Sequence, residues 1–337
     1  MAILITGGAG YVGSHMAHYL VDKNEPVIVL DDLSRGRRDL VPREACFVHG
    51  CAGNGKLLAN LASAYDIEAV IHFAGYQIVS ESVECPLRYY ERNTAVSRTL
   101  LEVCTDLKID KLIFSSTASV YGSPDVIPIT EDTALQPISP YGRSKLITEM
   151  MIADAGAAHG LRSIILRYFN VAGADPTLRT GQISKIPTHL VKIGSQVALG
   201  LRPQLRVFGA DYPTPDGTCI RDYVHVMDLA DAHYRALEHL RRGAPSATYN
   251  VGYGRGYSVL DVIHAFEAVT GVRMPYHYDA PRPGDPPILV ADSTALVRDL
   301  RWMPRHGDLR DIIRSAYAWE KKQMAPGEDI PLLAKAV

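Results

Sequence analysis

A tyrosine and a lysine four residues apart, Tyr141 and Lys145, form a pair that could move a proton. Ser139-Pro140 in front of them is a helix start, since proline suits a first turn, and the segment running to Met150-Met151-Ile152 is strongly helix-forming. The spacing i, i+4 then puts both side chains on one face. An ammonium that close favours phenolate over phenol and would draw the tyrosine down from ~10 toward the working pH, making it a general base. The plainer reading is a surface tyrosine beside a solvated lysine. A run of hydroxyls, Ser115-Ser116-Thr117, follows the apolar segment Lys111-Leu112-Ile113-Phe114. Thr117 is the candidate to hydrogen-bond the reacting oxygen and relay its proton to Tyr141, while one or two of the three hydroxyls could simply satisfy turn backbone groups.

The chemistry needs an acceptor, and the opening of the chain describes one. Met1-Ala2-Ile3-Leu4-Ile5 reads as a buried parallel strand, Thr6-Gly7-Gly8-Ala9-Gly10-Tyr11-Val12-Gly13 as a tight turn, and Ser14 to Leu20 as a helix. Gly7 permits the sharp turn, Gly10 lets backbone approach a pyrophosphate, and Gly13 permits close helix-to-strand packing, with the helix N-terminus facing the anion. A second strand, Val27-Ile28-Val29-Leu30, ends in Asp31-Asp32, about 20 residues beyond the glycines. A carboxylate there accepts the adenosine ribose hydroxyls and repels a 2′-phosphate, so the dinucleotide is NAD rather than NADP. The alternative is that Asp31 only caps the next turn.

Further aliphatic strands at 69–74, 111–116 and 163–168 alternate with helical segments, which predicts an α/β fold: a Rossmann-type doubly wound parallel sheet. From about residue 171 the texture becomes richer in Pro and Gly, predicting a smaller mixed α/β substrate-binding lobe. The expected division is 1–170 for NAD and 171–337 for substrate, with 219–252 returning to the first domain and a loose tail at 326–337. The 337 residues suffice for a large core. A net charge of −2 with no basic run argues against a nucleic-acid partner. Five scattered cysteines without C-x-x-C spacing predict reduced thiols and no metal site. A first strand starting at residue 2 leaves no room for a signal peptide, and no apolar stretch approaches the ~20 residues of a membrane helix. The expectation is a cytoplasmic protein with no membrane association.

Read together, TGGAGYVGSH (6–15), HFAG (72–75), SSTASVYG (115–122), SPYGRSK (139–145), LRYFNVAGA (166–174), the long segment 207–233, YNVG (249–252) and RPGDPP (282–287) resemble the extended short-chain dehydrogenase/reductases, specifically the UDP-glucose (UDP-galactose) 4-epimerases, over essentially the whole chain. The resemblance implies a bound NAD that is reduced and reoxidised in each turnover. Tyr141, assisted by Thr117, would take the proton of the sugar 4-hydroxyl as hydride leaves C4, and the 4-keto sugar would then turn and accept hydride on its other face. It implies cofactor contacts from Gly7, Gly10, Tyr11, Val12, Gly13, Asp31, Asp32, Cys51, Ala52, Phe73, Ala74, Gly75, Gln77, Asn93, Ser115, Tyr141, Lys145 and Tyr168, with Lys145 on the nicotinamide ribose. For the UDP-sugar it implies Ser116, Thr117, Tyr141, Asn170, His189, Leu190, Arg206, Phe208, Arg221, Arg282, Asp285 and Leu289. Arg206 to Phe208 would meet the uracil, and Arg221 and Arg282 the diphosphate, for which a planar guanidinium is well shaped. A salt bridge from Arg221 to Asp222 or Asp228 competes with that role, and a core hydrogen-bonding role competes for Asn93. The resemblance also implies a homodimer through helices around 90–105 and 141–157.

The chain departs from the family pattern at several positions. Gly50-Cys51-Ala52 stands where an aspartate usually meets the adenine amino group, and Tyr76-Gln77 where a lysine usually lies near the NAD phosphates. A hydrogen bond to a charged group is worth roughly 1.5–3 kcal/mol, so weaker cofactor retention is expected. Thr117 replaces the usual serine, and Leu289 aligns with the position whose bulk bears on N-acetylated sugars. The alternatives are a UDP-pentose (xylose or arabinose) or UDP-N-acetylhexosamine 4-epimerase. A 4,6-dehydratase would need an acid pair after Thr117, where Ala118-Ser119 stand. A uronate epimerase would need donors for a carboxylate, and a non-catalytic NAD/UDP-sugar-binding protein would have no use for Thr117, Tyr141 and Lys145 together.

Overall fold

The computed structural model describes residues 1–184, 187–282 and 285–324. The tail expected at 326–337, and the middle of RPGDPP, lie outside the described residues. The strands in chain order are β1 (Ala2–Thr6), β2 (Val27–Asp31), β3 (Cys46–His49), β4 (Ile67–His72), β5 (Lys111–Thr117), β6 (Arg162–Tyr168), β7 (Asn170–Ala172), β8 (Leu205–Phe208), β9 (Ile220–His225), β10 (Ala247–Val251), β11 (Gly256–Ser258), β12 (Tyr276–Asp279) and β13 (Ile288–Leu289).

Seven of them form one sheet in the order β10-β6-β5-β4-β1-β2-β3, and every pairing in it is parallel. Parallel strands with helices on both faces have no solvent side, which is why β1 and β2 read as unbroken aliphatic runs. Alternation divides them between two cores. Ile3 and Ile5 face the helices Tyr11–Asp22 and Val226–Arg241, while Leu4 faces Leu58, Leu100 and Ile152 on the helices of the opposite side. β10, drawn from residues 247–251, closes one edge of this sheet against β6.

Beyond β6 the chain builds smaller sheets. β9 pairs with β7, β11 and β13, and β12 pairs with β8. A third core around Phe266, Ile312 and Ile313 supports them. Among the described residues no helix is long and apolar enough to cross a membrane. The order reverses between β1 and β4, and an open parallel sheet binds its ligand at the carboxyl ends flanking such a reversal.

Candidate active site

The carboxyl ends of six strands deliver the candidate residues to one edge. Gly7 follows β1, Asp31 ends β2, Cys51 lies just beyond β3, Phe73 follows β4, Thr117 ends β5 and Tyr168 ends β6. Gly7 has φ 72°, and a Cβ there would lie 2.6 Å from the Ala74 nitrogen, so the loops after β1 and β4 touch through a residue that must be glycine. Gly13 behaves differently from the expectation. A side chain there would strike the Gly7 carbonyl and the Gly8 backbone, so its role is to fold the glycine loop back on its own helix rather than to seat that helix on the strand. Gly10 is the N-cap of Tyr11–Asp22 and leaves the front of that helix bare, where first-turn N–H groups have no intrahelical partner. The Tyr11 ring turns away, its hydroxyl donating to the Gly173 carbonyl at 2.6 Å, so Tyr11 and Val12 offer backbone at the crevice. This bare, positively polarised cradle fits a dinucleotide diphosphate.

Asp31 is nearly buried, and its two oxygens accept the N–H groups of Ala9 (2.9 Å) and Leu33 (2.8 Å). It therefore pins the glycine loop as well as capping the turn after β2, and each oxygen keeps a lone pair for another donor. Burial pushes its carboxyl up, against the pull of those two hydrogen bonds. Asp32 accepts Ser34 N–H at 2.9 Å. Cys51 Sγ accepts Gly53 N–H at 3.3 Å, and Ala52 is packed into the core beneath. The Phe73 ring lies 4.8 Å from that of His233. Gly75 and Gln77 are exposed at the mouth.

Tyr141 and Lys145 sit one turn apart on the helix Pro140–His159, which Ser139 caps through Gly142 N–H at 3.1 Å. Thr117 sits by the Tyr141 hydroxyl and favours its ionised form, while its own Oγ1 donates to Ser119 Oγ at 3.2 Å and accepts Ser119 N–H at 3.1 Å. One expectation is corrected here. Burial, with the Tyr168 and Tyr89 hydroxyls close by, pushes the Tyr141 phenol up, and only Thr117 draws it down. The lysine is otherwise engaged, its Nζ donating to the Ser115 carbonyl at 2.8 Å and lying 4.7 Å from the centre of the Phe114 ring. Burial in turn lowers Lys145 to about 8, opposed by the Glu149 carboxylate one turn further on.

The three hydroxyls of β5 separate. Ser115 Oγ donates to Tyr168 at 2.9 Å and Thr117 meets Tyr141, on the same face of the strand. Ser116 projects from the other face, fully buried, and donates to Glu149, which also holds Arg167 at 2.6 Å. Its assignment as a sugar contact is therefore corrected: the period-2 alternation of a strand points it into the network beneath the helix. Asn93 lies buried in a π-helical turn, Tyr90–Ala95, of the kind often found at functional sites. Its amide accepts Tyr76 N–H at 2.6 Å and donates to Tyr76 O and Ser144 Oγ, so it fixes the loop after β4.

The substrate-side candidates gather on the smaller sheets. Phe208 has the Arg282 guanidinium 3.9 Å and the Arg206 guanidinium 5.1 Å from its ring centre. Arg206 is also paired with Asp279. Arg221 is paired with Asp285, not with Asp222 or Asp228; those two serve backbone N–H groups instead. Asp285, expected at the substrate, is the group that orients Arg221 and keeps part of its carboxylate exposed. Leu289 pairs with Arg221 in the sheet and packs in the cluster holding Ala118 and Phe169. Asn170 is exposed on β7. His189 stands at the N-cap position of the helix starting at Leu190 without bonding its amides, and its Nδ1 lies 2.7 Å from Gln182 Nε2. Residue reading missed Tyr89, whose ring lies edge-on to Tyr141 at 6.4 Å, and Glu149, for which the spacing of Tyr141, Lys145 and Glu149 at successive turns was an available signal.

A parallel sheet with a glycine cradle at its reversal, and a Thr–Tyr–Lys set one strand away, defines a Rossmann-fold enzyme that handles a hydroxyl proton beside a dinucleotide. The profile of the NAD dependent epimerase/dehydratase family matches residues 3–252, and the chain belongs to that family. UDP-glucose 4-epimerase of Azospirillum brasilense is 55% identical over 319 residues, spanning 95% of this chain and 92% of the relative. The crystal structure of UDP-glucose 4-epimerase from Brucella ovis in complex with NAD superposes with a TM-score of 0.91 at 42% identity, covering 94% of this chain and 97% of that one. A UDP-glucose-4-epimerase from Stenotrophomonas maltophila with bound NAD and formylated UDP-arabinopyranose gives 0.93 at 40% identity, covering 96% and 98%.

Proposed function

We propose that the protein is a UDP-sugar 4-epimerase that interconverts UDP-galactose and UDP-glucose with NAD as a resident cofactor. The observation that carries the reading is the buried Tyr141–Lys145 pair on one helix, with Lys145 Nζ on the Ser115 carbonyl and Thr117 at the end of the same strand, facing the glycine cradle. Relatives named UDP-glucose 4-epimerase, at 40% to 55% identity, support it. NAD, when bound, supplies a reversible acceptor for the C4 hydride.

The chain's own residues do the rest. The loop from Gly7 to Gly13 holds the diphosphate and Asp31 and Asp32 the adenosine ribose. Tyr141 takes the proton of the sugar 4-hydroxyl through Thr117 and returns it after the 4-keto sugar has turned over. Turning requires a nucleotide gripped firmly and a sugar gripped loosely, and the side chains divide accordingly. Arg206, Phe208, Arg221 and Arg282 bring charge and an aromatic face to UDP, whereas Leu289, at the sugar, has only an aliphatic surface. In this reading residues 1–170 serve the cofactor and 171–337 the substrate, with 219–252 returning to the first unit. A cytoplasmic homodimer through the helices around 90–105 and 141–157 completes it, and exposed apolar side chains at Ile147 and Met150 on the second of these support the pairing.

The test incubates purified protein separately with UDP-galactose, UDP-xylose and UDP-N-acetylgalactosamine and resolves the products chromatographically. Conversion of UDP-galactose to UDP-glucose is expected. Conversion of only the pentose or the N-acetylated sugar would move the assignment to that substrate, and conversion of none would overturn it.

A further inference from the structure

The crevice has a second closure that the sequence motifs do not announce. In the sheet β1 lies between β2 and β4, so a contact between the segments following those two outer strands joins the two sides of the β1 glycine loop. Arg35, in the segment after β2, makes such a contact. Its guanidinium donates to both oxygens of Glu81, at 2.7 and 2.6 Å, on the helix Val79–Glu84 after β4, and lies 4.3 Å from the centre of the Tyr76 ring.

Both ends of the contact are anchored. The Arg35 segment rests on the glycine loop: Arg37 N–H donates to Ala9 O at 3.0 Å, and a Cβ on Gly36 would lie 2.6 Å from the Ala9 backbone. Opposite, Asn93 grips the Tyr76 backbone, and Glu81 also accepts the Tyr89 hydroxyl at 3.0 Å. A second guanidinium, Arg92, lies 5.9 Å from the Tyr76 ring centre and 3.7 Å from Asp32. Gln77 brings no charge to this loop, and the cation arrives from across the crevice instead.

Resting on the dinucleotide reading above, we propose that Arg35, Tyr76 and Glu81 form a clasp over the middle of the bound dinucleotide and slow its release. A ligand stretching from Asp31 to Lys145 must run beneath this bridge, because the bridge joins the loops on either side of the glycine cradle. The Arg35–Glu81 pair is part-exposed, and exposed ion pairs and stacked guanidiniums are individually weak. The clasp is therefore a latch that opens repeatedly, and its signature is kinetic and salt-sensitive.

The experiment loads intact wild type, Arg35→Ala, Glu81→Gln and the double variant with NADH, then follows loss of bound-NADH fluorescence on challenge with excess NAD⁺, with thermal melts to verify folding. Each single variant should release NADH about three- to tenfold faster than wild type, and the double variant no faster than the faster single, because both remove one contact. Added salt should speed release from wild type more than from the variants. If Arg35→Ala accelerates release while Glu81→Gln leaves it unchanged or slows it, Arg35 touches the phosphates directly and the clasp is wrong. Wild-type rates in both variants would also overturn it. Failure of the wild type to bind NADH at all would remove the dinucleotide reading, and the clasp with it.

Discussion

The Tyr141 hydroxyl is held as a phenol by burial, and Thr117 is the neighbour that draws it the other way. A group in that position works as a base only while something lowers it, so its contribution depends on the loaded, closed site rather than on Lys145 alone. Tyr141→Phe should lower turnover at least ~100-fold, since general acid–base contributions run about 10² to 10⁴, while leaving UDP binding intact. Thr117→Ser should stay near wild type and Thr117→Ala should fall between the two. Steady-state kinetics on UDP-galactose with UDP binding by calorimetry would check this, and a Tyr141→Phe enzyme within a few-fold of wild type would remove the residue from the mechanism. Tyr141, Lys145 and Thr117 were legible because spacing and position suffice to find them. Ser116 was misread although strand alternation already separated it from its neighbours.

At the level of elements, the helix Pro140–His159 carries Tyr141, Lys145 and Glu149 on successive turns and is tied to β5 and β6 by the buried Ser116–Glu149–Arg167 network. Glu149 raises Lys145 against its burial. Glu149→Gln removes that support, so the ammonium should lose its proton at lower pH. An alkaline limb of the kcat profile that follows Lys145 should move to lower pH. The same change strands Arg167 and should cost about 3–5 kcal/mol of stability, whereas a joint Glu149→Met, Arg167→Met replacement should cost far less. Denaturant unfolding and pH–rate profiles measure the two effects; an unmoved alkaline limb would show that Glu149 does not reach Lys145. The partner of Glu149 comes from a strand 18 residues away in the chain, and no local pattern names it.

Across the whole molecule, four buried histidines are held neutral. Burial lowers His72 and His225 to about 3 and His15 and His233 to about 4. An unfolded histidine titrates near ~6.5, so between these values the unfolded chain binds more protons and stability falls as pH falls. Each contributes up to about 1.4 kcal/mol per pH unit. Asp222, raised to about 6 by burial, and Asp31, raised by the same cause, oppose them at lower pH. Urea unfolding at pH 7, 6 and 5 should therefore show a steady loss of stability toward acid, and a flat profile would contradict neutral buried histidines. The amino-acid sequence by itself determined the aliphatic strands, the glycine turn, Asp31 and the Tyr–Lys pair, because each is written in local spacing and in the period of a strand or helix. Only the tertiary structure decided that β10, in a segment expected to return to the first domain, pairs with β6 at the sheet edge, that Asp285 rather than Asp222 or Asp228 pairs with Arg221, that Ser116 serves Glu149, and that Arg35 reaches Glu81 over β1. Those depend on which strands become neighbours and which faces meet, and the free energy of packing distant segments is not recorded in the spacing of near ones.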